Sequence, residues 1–463
     1  MKKITYKYFF VVFAVALFCS CSDITEYITT ENVVLPQDEY TIPFETALSS
    51  LESFMMEKGM CNTKGGINSY IDNYFTVSVP STKAVNGTGD VLYAVNFKDE
   101  GGYALLAADY RIPEDIIAII DTGCVYETDF YESDNPMVPT SNDDLSESEY
   151  YAMVESGVLA VEKNAINIEC KRYASRQVST CEYENFKMPS PCDPNRPGGN
   201  GGNGGDDSYP ETLTWVTVKE VPRMVSTIWT QRTDDNDIFN KYCPEVGLFI
   251  KRKAPAGCVC IAVAQIVAYN EYPVNLICNN MRIDYPKMKK TYAYGRKYLV
   301  ESETSKEMIA RFCINIGSLC NIKYHSFCGN AWGFAWPSDA RDAFESLGYQ
   351  NVSLNWGYDE ELLLKSLDNG CPVFMSAISG CLNGHAWVVD GYIKRNYVTS
   401  KNVVKESQVL VHCNWGWRGH CNGYFTSGVF RTQEPVISDN ILGMEDHDYE
   451  YKLNMITYEK PKK

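Results

Sequence analysis

Histidine is scarce in this chain. Five are present among 463 residues: His325, His385, His412, His420 and His447. Any chemistry that needs an imidazole must use one of these. Positive charge is also short. Lys and Arg number 42 against 59 Asp and Glu, for a net charge of −17, which argues against nucleic acid as a partner, since that would need a basic patch. No apolar run reaches the roughly 20 residues of a permanent membrane-spanning helix. The redox spacing Cys-x-x-Cys is missing too, since Cys258 and Cys260 stand two apart.

What the chain does have begins at its N-terminus. "MKKITYKYFFVVFAVALFCSCSD" carries three lysines and then an apolar stretch from Tyr8 to Cys19. That length suits the apolar core of an export signal. It ends at Ser20-Cys21, so Cys21 is the expected lipidated residue of a bacterial lipoprotein signal spanning 1–21. Several acyl chains on one cysteine anchor a protein stably, where one chain is marginal. The expected location is exported and lipid-anchored, on the cell surface or the periplasmic face. Setting Cys19 and Cys21 aside leaves 16 of the 18 cysteines in the exported part. Many lie in apolar runs such as "RFCINIGSLCNI" and read as small buried hydrophobes.

Residues 22–39 are polar and read as a tether. From residue 40, "PFETALSSLESFMMEKGM" has apolar side chains at helical spacing. "DVLYAVNFKDEGGYALLAADYRIPEDIIAIIDTG" alternates and breaks at Gly101-Gly102, which predicts a hairpin and a further strand. Residues 145–165 read as a second helix. Residues 40–189 are therefore expected to form a small α+β domain. Residues 190–210, "SPCDPNRPGGNGGNGGDDSYP", are too rich in Gly, Asn and Pro to bury anything. They read as an exposed linker, the easiest backbone for a protease to enter. Residues 211–463 are of single-domain size.

Within that last part, Cys258 follows Gly257 and opens an apolar run, "CVCIAVAQIVAYNEYP". A thiol in the first turn of a helix meets the positive end of the helix dipole, which favours thiolate. His385 lies 127 residues on, in the strand-like "GHAWVVDGYI", and Asn414 a further 29 on, in "VHCNWGWRGHCNGYF". Cysteine on a helix followed by His and Asn on strands is the order of papain-like thiol proteases. The bland reading of each residue is a buried cysteine, a satisfied core histidine and a turn asparagine. A rival chemistry is a metal held by His412, Cys413, His420 and Cys421. Adjacent strand residues point to opposite faces, so these four cannot converge.

The papain motif C-G-[SA]-C-[WY] is absent. Instead "TIWTQ…YCPE", "AGCVCIAVAQIVAYNEYP", "GHAWVVDGY" and "HCNWGWRGHCNGYF", in that order, resemble the streptopain family of cysteine peptidases, and "LYAVNFKDEGGYALLAADYRIP" resembles that family's propeptide. The resemblance implies Cys258 as nucleophile, His385 as its base and acid, Gln231 in the oxyanion hole, and Asn414 with Trp415 orienting and covering the histidine. The chain departs from the family at Cys260, where a small residue is usual, and at "RGHCNG", which borders the cleft. The expected fold is α+β, a two-lobed papain-like peptidase preceded by a small propeptide domain. The expected function is a zymogen of a cysteine endopeptidase with protein or peptide substrates, its own propeptide as an intramolecular inhibitor, the membrane as a partner through the N-terminal lipid, and no cofactor or metal. The alternative is an inactive surface lipoprotein of the same fold that binds a ligand or protein.

Overall fold

The computed structural model describes residues 40–60, 66–79, 89–130, 166–178, 213–231, 238–247, 251–289, 291–294, 297–300, 302–327, 330–378, 384–429 and 453–462. The export signal, Cys21, the tether, the expected helix at 145–165 and the linker lie outside the described residues. All the described residues belong to one compact unit, Asp38–Lys463.

The first helix, α1 (Phe44–Glu57), forms where the apolar spacing places it. It buries Ala47, Leu48, Leu51, Phe54 and Met55 along one stripe. Four strands follow: β1 (Ile71–Ser78), β2 (Asp90–Phe97), β3 (Tyr103–Ala107) and β4 (Ile116–Ile120). The hairpin and the further strand predicted between Asp90 and Ile120 are β2, β3 and β4. In β3 and β4 every residue is buried, so both faces of these strands are covered, and Leu and Ile fill them without alternation. A helix over 166–178 completes the described N-terminal region.

The C-terminal region contributes seven strands to the same sheet: β5 (Leu213–Val221), β6 (Gln350–Trp356), β7 (Val373–Ile378), β8 (Gly384–Thr399), β9 (Val404–Asn414), β10 (Gly423–Thr426) and β11 (Asn454–Glu459). The strand order is β1-β2-β3-β4-β10-β9-β8-β7-β11-β6, with β5 also paired to β8. The joint between the two regions is β4 against β10. They run antiparallel, with Ile120, Ile119 and Ala118 opposite Gly423, Tyr424 and Phe425. The N-terminal strands thus extend the sheet that carries His385 and do not close a sheet of their own.

Three longer helices pack with the C-terminal part of the sheet: α2 (Cys258–Asn270), α3 (Glu303–Leu319) and α4 (Pro337–Ser346). One core joins these helices to Ala386 and Val388 of β8, while Trp387 and Val389 enter a second core on the opposite face. That alternation is the two-residue period of a strand. The result is the expected α+β class, with a helical layer bearing Cys258 and an antiparallel sheet bearing His385 and Asn414.

Candidate active site

Cys258 is the first residue of α2, and Gly257 caps it at φ 88. A positive φ at this position favours glycine. The glycine also lies close to the backbone of Gly333, where an added Cβ would meet the Gly333 oxygen at 3.7 Å. The helix behind Cys258 is buried almost throughout, from Val259 to Ala268. Cys258 itself is half-buried at the rim of that core. The neighbouring cysteines differ. Cys260 is buried, with its Sγ 3.2 Å from the Cys313 carbonyl oxygen. Burial pushes the thiols of Cys320 and Cys413 well above their ordinary range, which leaves them chemically quiet.

His385 stands at the start of β8, opposite Ala377 of β7. Its Nε2 is 3.0 Å from the carbonyl oxygen of Trp415. A carbonyl can only accept, so Nε2 carries the hydrogen in this contact. Indole rings surround the imidazole. Trp417 lies 4.7 Å away between ring centroids, and Trp387 and Trp415 each lie 6.1 Å away.

Gln231 is buried, and its backbone ties the two halves of the site together. Its N–H donates to the Gly416 carbonyl at 2.9 Å, and its carbonyl accepts from the N–H of Gly257 at 3.4 Å. Thr230 forms a bridge with Trp417. Gln231 is therefore held between the residue that precedes Cys258 and the tryptophan run that cages His385.

Asn414 is buried and points elsewhere. Its Nδ2 donates to the Thr227 carbonyl at 2.8 Å and reaches Gln265 Oε1 at 3.4 Å. Its Oδ1 accepts from the Gly416 N–H at 3.2 Å and from Gln265 Nε2 at 3.3 Å. The Trp415 carbonyl is thus a hydrogen-bond partner of His385, and Asn414 fixes the strand end that presents it. Asn422, in the segment that departs from the family pattern, accepts from the Trp415 N–H at 3.0 Å and steadies the same run. Among the members of the site not singled out from sequence are Trp417 and Gln265. Trp417 had a visible signal, the repeated tryptophan of "WGW". Gln265 had a weaker one, a lone amide inside an apolar helix.

Among the described residues, no group of three or more His, Cys, Asp or Glu side chains is placed to hold a metal ion. His412, from the rival metal reading, is instead paired through Nδ1 with Asp390 Oδ1 at 2.6 Å.

Part of the chain is similar to known proteins. Residues 229–425 match the Peptidase C10 family, and Gln231, Cys258, His385, Asn414 and Trp415 all fall inside the match. Streptopain of Streptococcus pyogenes serotype M1 is 29% identical over 214 residues, covering 41% of this chain and 49% of streptopain. The thiol protease/hemagglutinin PrtT of Porphyromonas gingivalis is 24% identical over 193 residues, 38% of this chain and 20% of that protein. The chain therefore spans about half, or less, of the length of these curated relatives. Among solved structures, a fragment of Prevotella intermedia prointerpain A aligns with a TM-score of 0.45 at 17% identity, covering 84% of this chain and 100% of that one. Active interpain A aligns with a TM-score of 0.35 at 19% identity, covering 52% of this chain and 95% of that one. Through residues 229–425 the chain is similar to the Peptidase C10 family.

Proposed function

We propose that the chain is the zymogen of a cysteine endopeptidase that acts on protein substrates through Cys258 and His385. The observation that carries this reading is the holding of His385. Its Nε2 is fixed on the Trp415 carbonyl, and the same backbone run is tied through Gln231 to the N-cap of the helix that Cys258 opens.

The chemistry follows from these positions. The Cys258 thiolate attacks the scissile carbonyl carbon and the carbonyl π electrons move onto oxygen. The side chain of Gln231 and the N–H of Cys258 stabilise that oxyanion, because first-turn N–H groups of a helix have no intrahelical acceptor. The imidazolium of His385 gives its Nδ1 proton to the leaving amine, the C–N bond breaks, and a thioester to Cys258 remains. Water then loses a proton to Nδ1 and attacks the thioester, releasing the acid and the thiolate. The Trp415 carbonyl holds the ring orientation through both proton transfers.

In this reading residues 40–189 are a propeptide that keeps the enzyme latent, 190–210 contains the activation cut, and Cys21 carries a lipid that anchors the zymogen to a membrane. The support is the signal-like N-terminus, the glycine-rich linker, and the seating of β4 on β10 beside the tryptophan run. Cleavage in the linker would leave the lipid on the propeptide and free the enzyme from the membrane.

The test is substitution of each partner alone. Cys258→Ala and His385→Ala should each abolish peptide hydrolysis, with circular dichroism and melting temperature close to wild type. Hydrolysis retained by Cys258→Ala would end the reading. Lipidation has its own test: mass spectrometry of the membrane fraction should find acyl groups on Cys21.

A further inference from the structure

Gln265 is fully buried in α2, in the company of Ile261, Val263, Ala264, Ile266 and Val267. A carboxamide in such a place is unfavourable unless all of its hydrogen-bonding capacity is used. Here most of it is used, on two chain segments at once. Oε1 accepts from Thr227 Oγ1 at 2.9 Å, from the Trp229 N–H at 3.3 Å and from Asn414 Nδ2 at 3.4 Å. Nε2 donates to Asn414 Oδ1 at 3.3 Å. Asn414 closes the circuit by donating to the Thr227 carbonyl and accepting from Gly416.

The location of this network matters as much as its bonds. Gln265 is seven residues after Cys258, about two helical turns, so the two share one face of α2. Thr227 and Trp229 lead directly into Gln231. Asn414 leads directly into the Trp415 carbonyl that holds His385. One side chain thus joins the nucleophile helix, the segment carrying the oxyanion glutamine and the segment that orients the histidine. A leucine or methionine at 265 would fill the volume equally well, so packing alone does not call for an amide.

We propose that Gln265 is a positioning residue of the catalytic centre, whose carboxamide sets the spacing between Cys258, Gln231 and His385. The proposal rests on the cysteine-peptidase reading above. It predicts that losing the amide separates the thiol from the imidazole and misaims the oxyanion donor while the fold persists.

The test uses the full-length chain and two readouts. The first is the pH dependence of Cys258 alkylation by iodoacetamide, followed by peptide mapping. The second is kcat and KM on a fluorogenic peptide after identical activation of every variant. Wild type should alkylate at pH values well below the ordinary thiol pKa of about 8.5. Gln265→Met should move that profile toward the ordinary value and lower kcat by about 10²-fold with KM changed less than about threefold. Gln265→Glu, kept protonated by burial, offers the same acceptor and a donor, and should recover most of both. Thr227→Val removes a single bond of the network and guards against a Gln265→Met chain that does not fold. It should shift both readouts in the same direction by about fivefold. If folded Gln265→Met and Thr227→Val keep the wild-type profile and kcat and lose only melting temperature, Gln265 is structural and the proposal is wrong. If wild type itself shows an ordinary thiol profile and no hydrolysis, the peptidase reading fails first and the proposal falls with it.

Discussion

Gly423 and Ile119 meet where no side chain fits. A Cβ on Gly423 would stand 2.2 Å from the Ile119 carbonyl oxygen and 2.8 Å from the Ile120 Cα. The nearest atoms around that missing Cβ all belong to β4, so the glycine serves the docking of the N-terminal region on β10. Gly423→Ala should therefore disturb the joint and spare the strand's own partner β9. Such overpacking costs about 1–3 kcal/mol. The expected result is cleavage of the N-terminal strands by an added protease at a rate raised about tenfold or more, with the catalytic part equally resistant in both proteins. Equal protection of the N-terminal strands would mean that β4 is held by other contacts.

His412 supplies a second fastening across the same joint. Its Nδ1 is 2.6 Å from Asp390 Oδ1, and its Nε2 is 3.5 Å from Asp121 Oδ2, just beyond β4. The Tyr424 ring lies edge-on at 5.0 Å, and Arg223 pairs with Asp121 at 3.1 Å. Burial opposes the charged ring, but Asp390 and Asp121 outweigh it, and His412 is pushed up to about 9 from an ordinary 6.5. A folded pKa above the unfolded one means the stabilisation is complete below pH 6.5 and is lost as pH rises through about 9. Asp121→Asn should thus cost most stability below pH 6.5, and the cost should shrink toward pH 9 and beyond. Urea midpoints of both proteins across this range are the measurement, and a difference independent of pH would show that His412 carries no charge at the joint.

How far the sequence reveals all this depends on the range of each interaction. Cys258 and His385 are legible because their setting is local: a glycine followed by an apolar helix, and a glycine followed by a strand. The stripe Ala47, Leu48, Leu51, Phe54 and Met55 is legible for the same reason. The pairing of β4 with β10 is not. "IIAII" is apolar at every position, and such a run says that a strand is buried without saying beside which neighbour. Arg395 and Asp115 form an ion pair across 280 residues of sequence, with Nη1 and Oδ1 at 3.1 Å and the arginine 1% exposed. Neither residue signals the other in advance. Asn414 is a subtler case. Its position in the motif was visible, but its partner was not, because the carbonyl of the next residue, Trp415, reaches His385 and frees the Asn414 side chain for Gln265.

Gln231 carries a prediction that separates transition-state from ground-state binding. Its backbone is fixed on both sides, to Gly416 and to Gly257, so truncating the side chain should leave the segment in place. If the amide donates to the developing oxyanion, Gln231→Ala should lower kcat by about 10²-fold with little change in KM. Steady-state kinetics on a fluorogenic peptide decide the matter. A rise in KM alone would make Gln231 a substrate contact.

The joint also shapes what happens when the linker is cut. While 190–210 is intact, the N-terminal region is tethered at high effective concentration, and its affinity for the sheet need not be great. Cleavage makes the contact bimolecular. Yet β4 still completes a sheet, and Asp115 still neutralises Arg395. The guanidinium is boxed between Phe54 at 5.2 Å and Trp215 at 5.0 Å, and it also donates to Gln408 at 3.2 Å. Removing Asp115 leaves that buried charge poorly compensated, which costs about 3 kcal/mol. The two fragments should therefore stay together after the cut and separate only on dilution or when the N-terminal fragment is degraded. Full-length Cys258→Ala, which on the proposed reading cannot cut itself, isolates this step. Treated with wild-type enzyme, it should be cleaved in the linker, elute as one species in size-exclusion chromatography at micromolar concentration, and dissociate on dilution. Asp115→Asn in the same background should shift the dissociation to about a hundredfold higher concentration, in line with that cost. Immediate separation of the cut wild-type joint would place the whole of the inhibition in the linker, and the sheet contact would then have no part in latency.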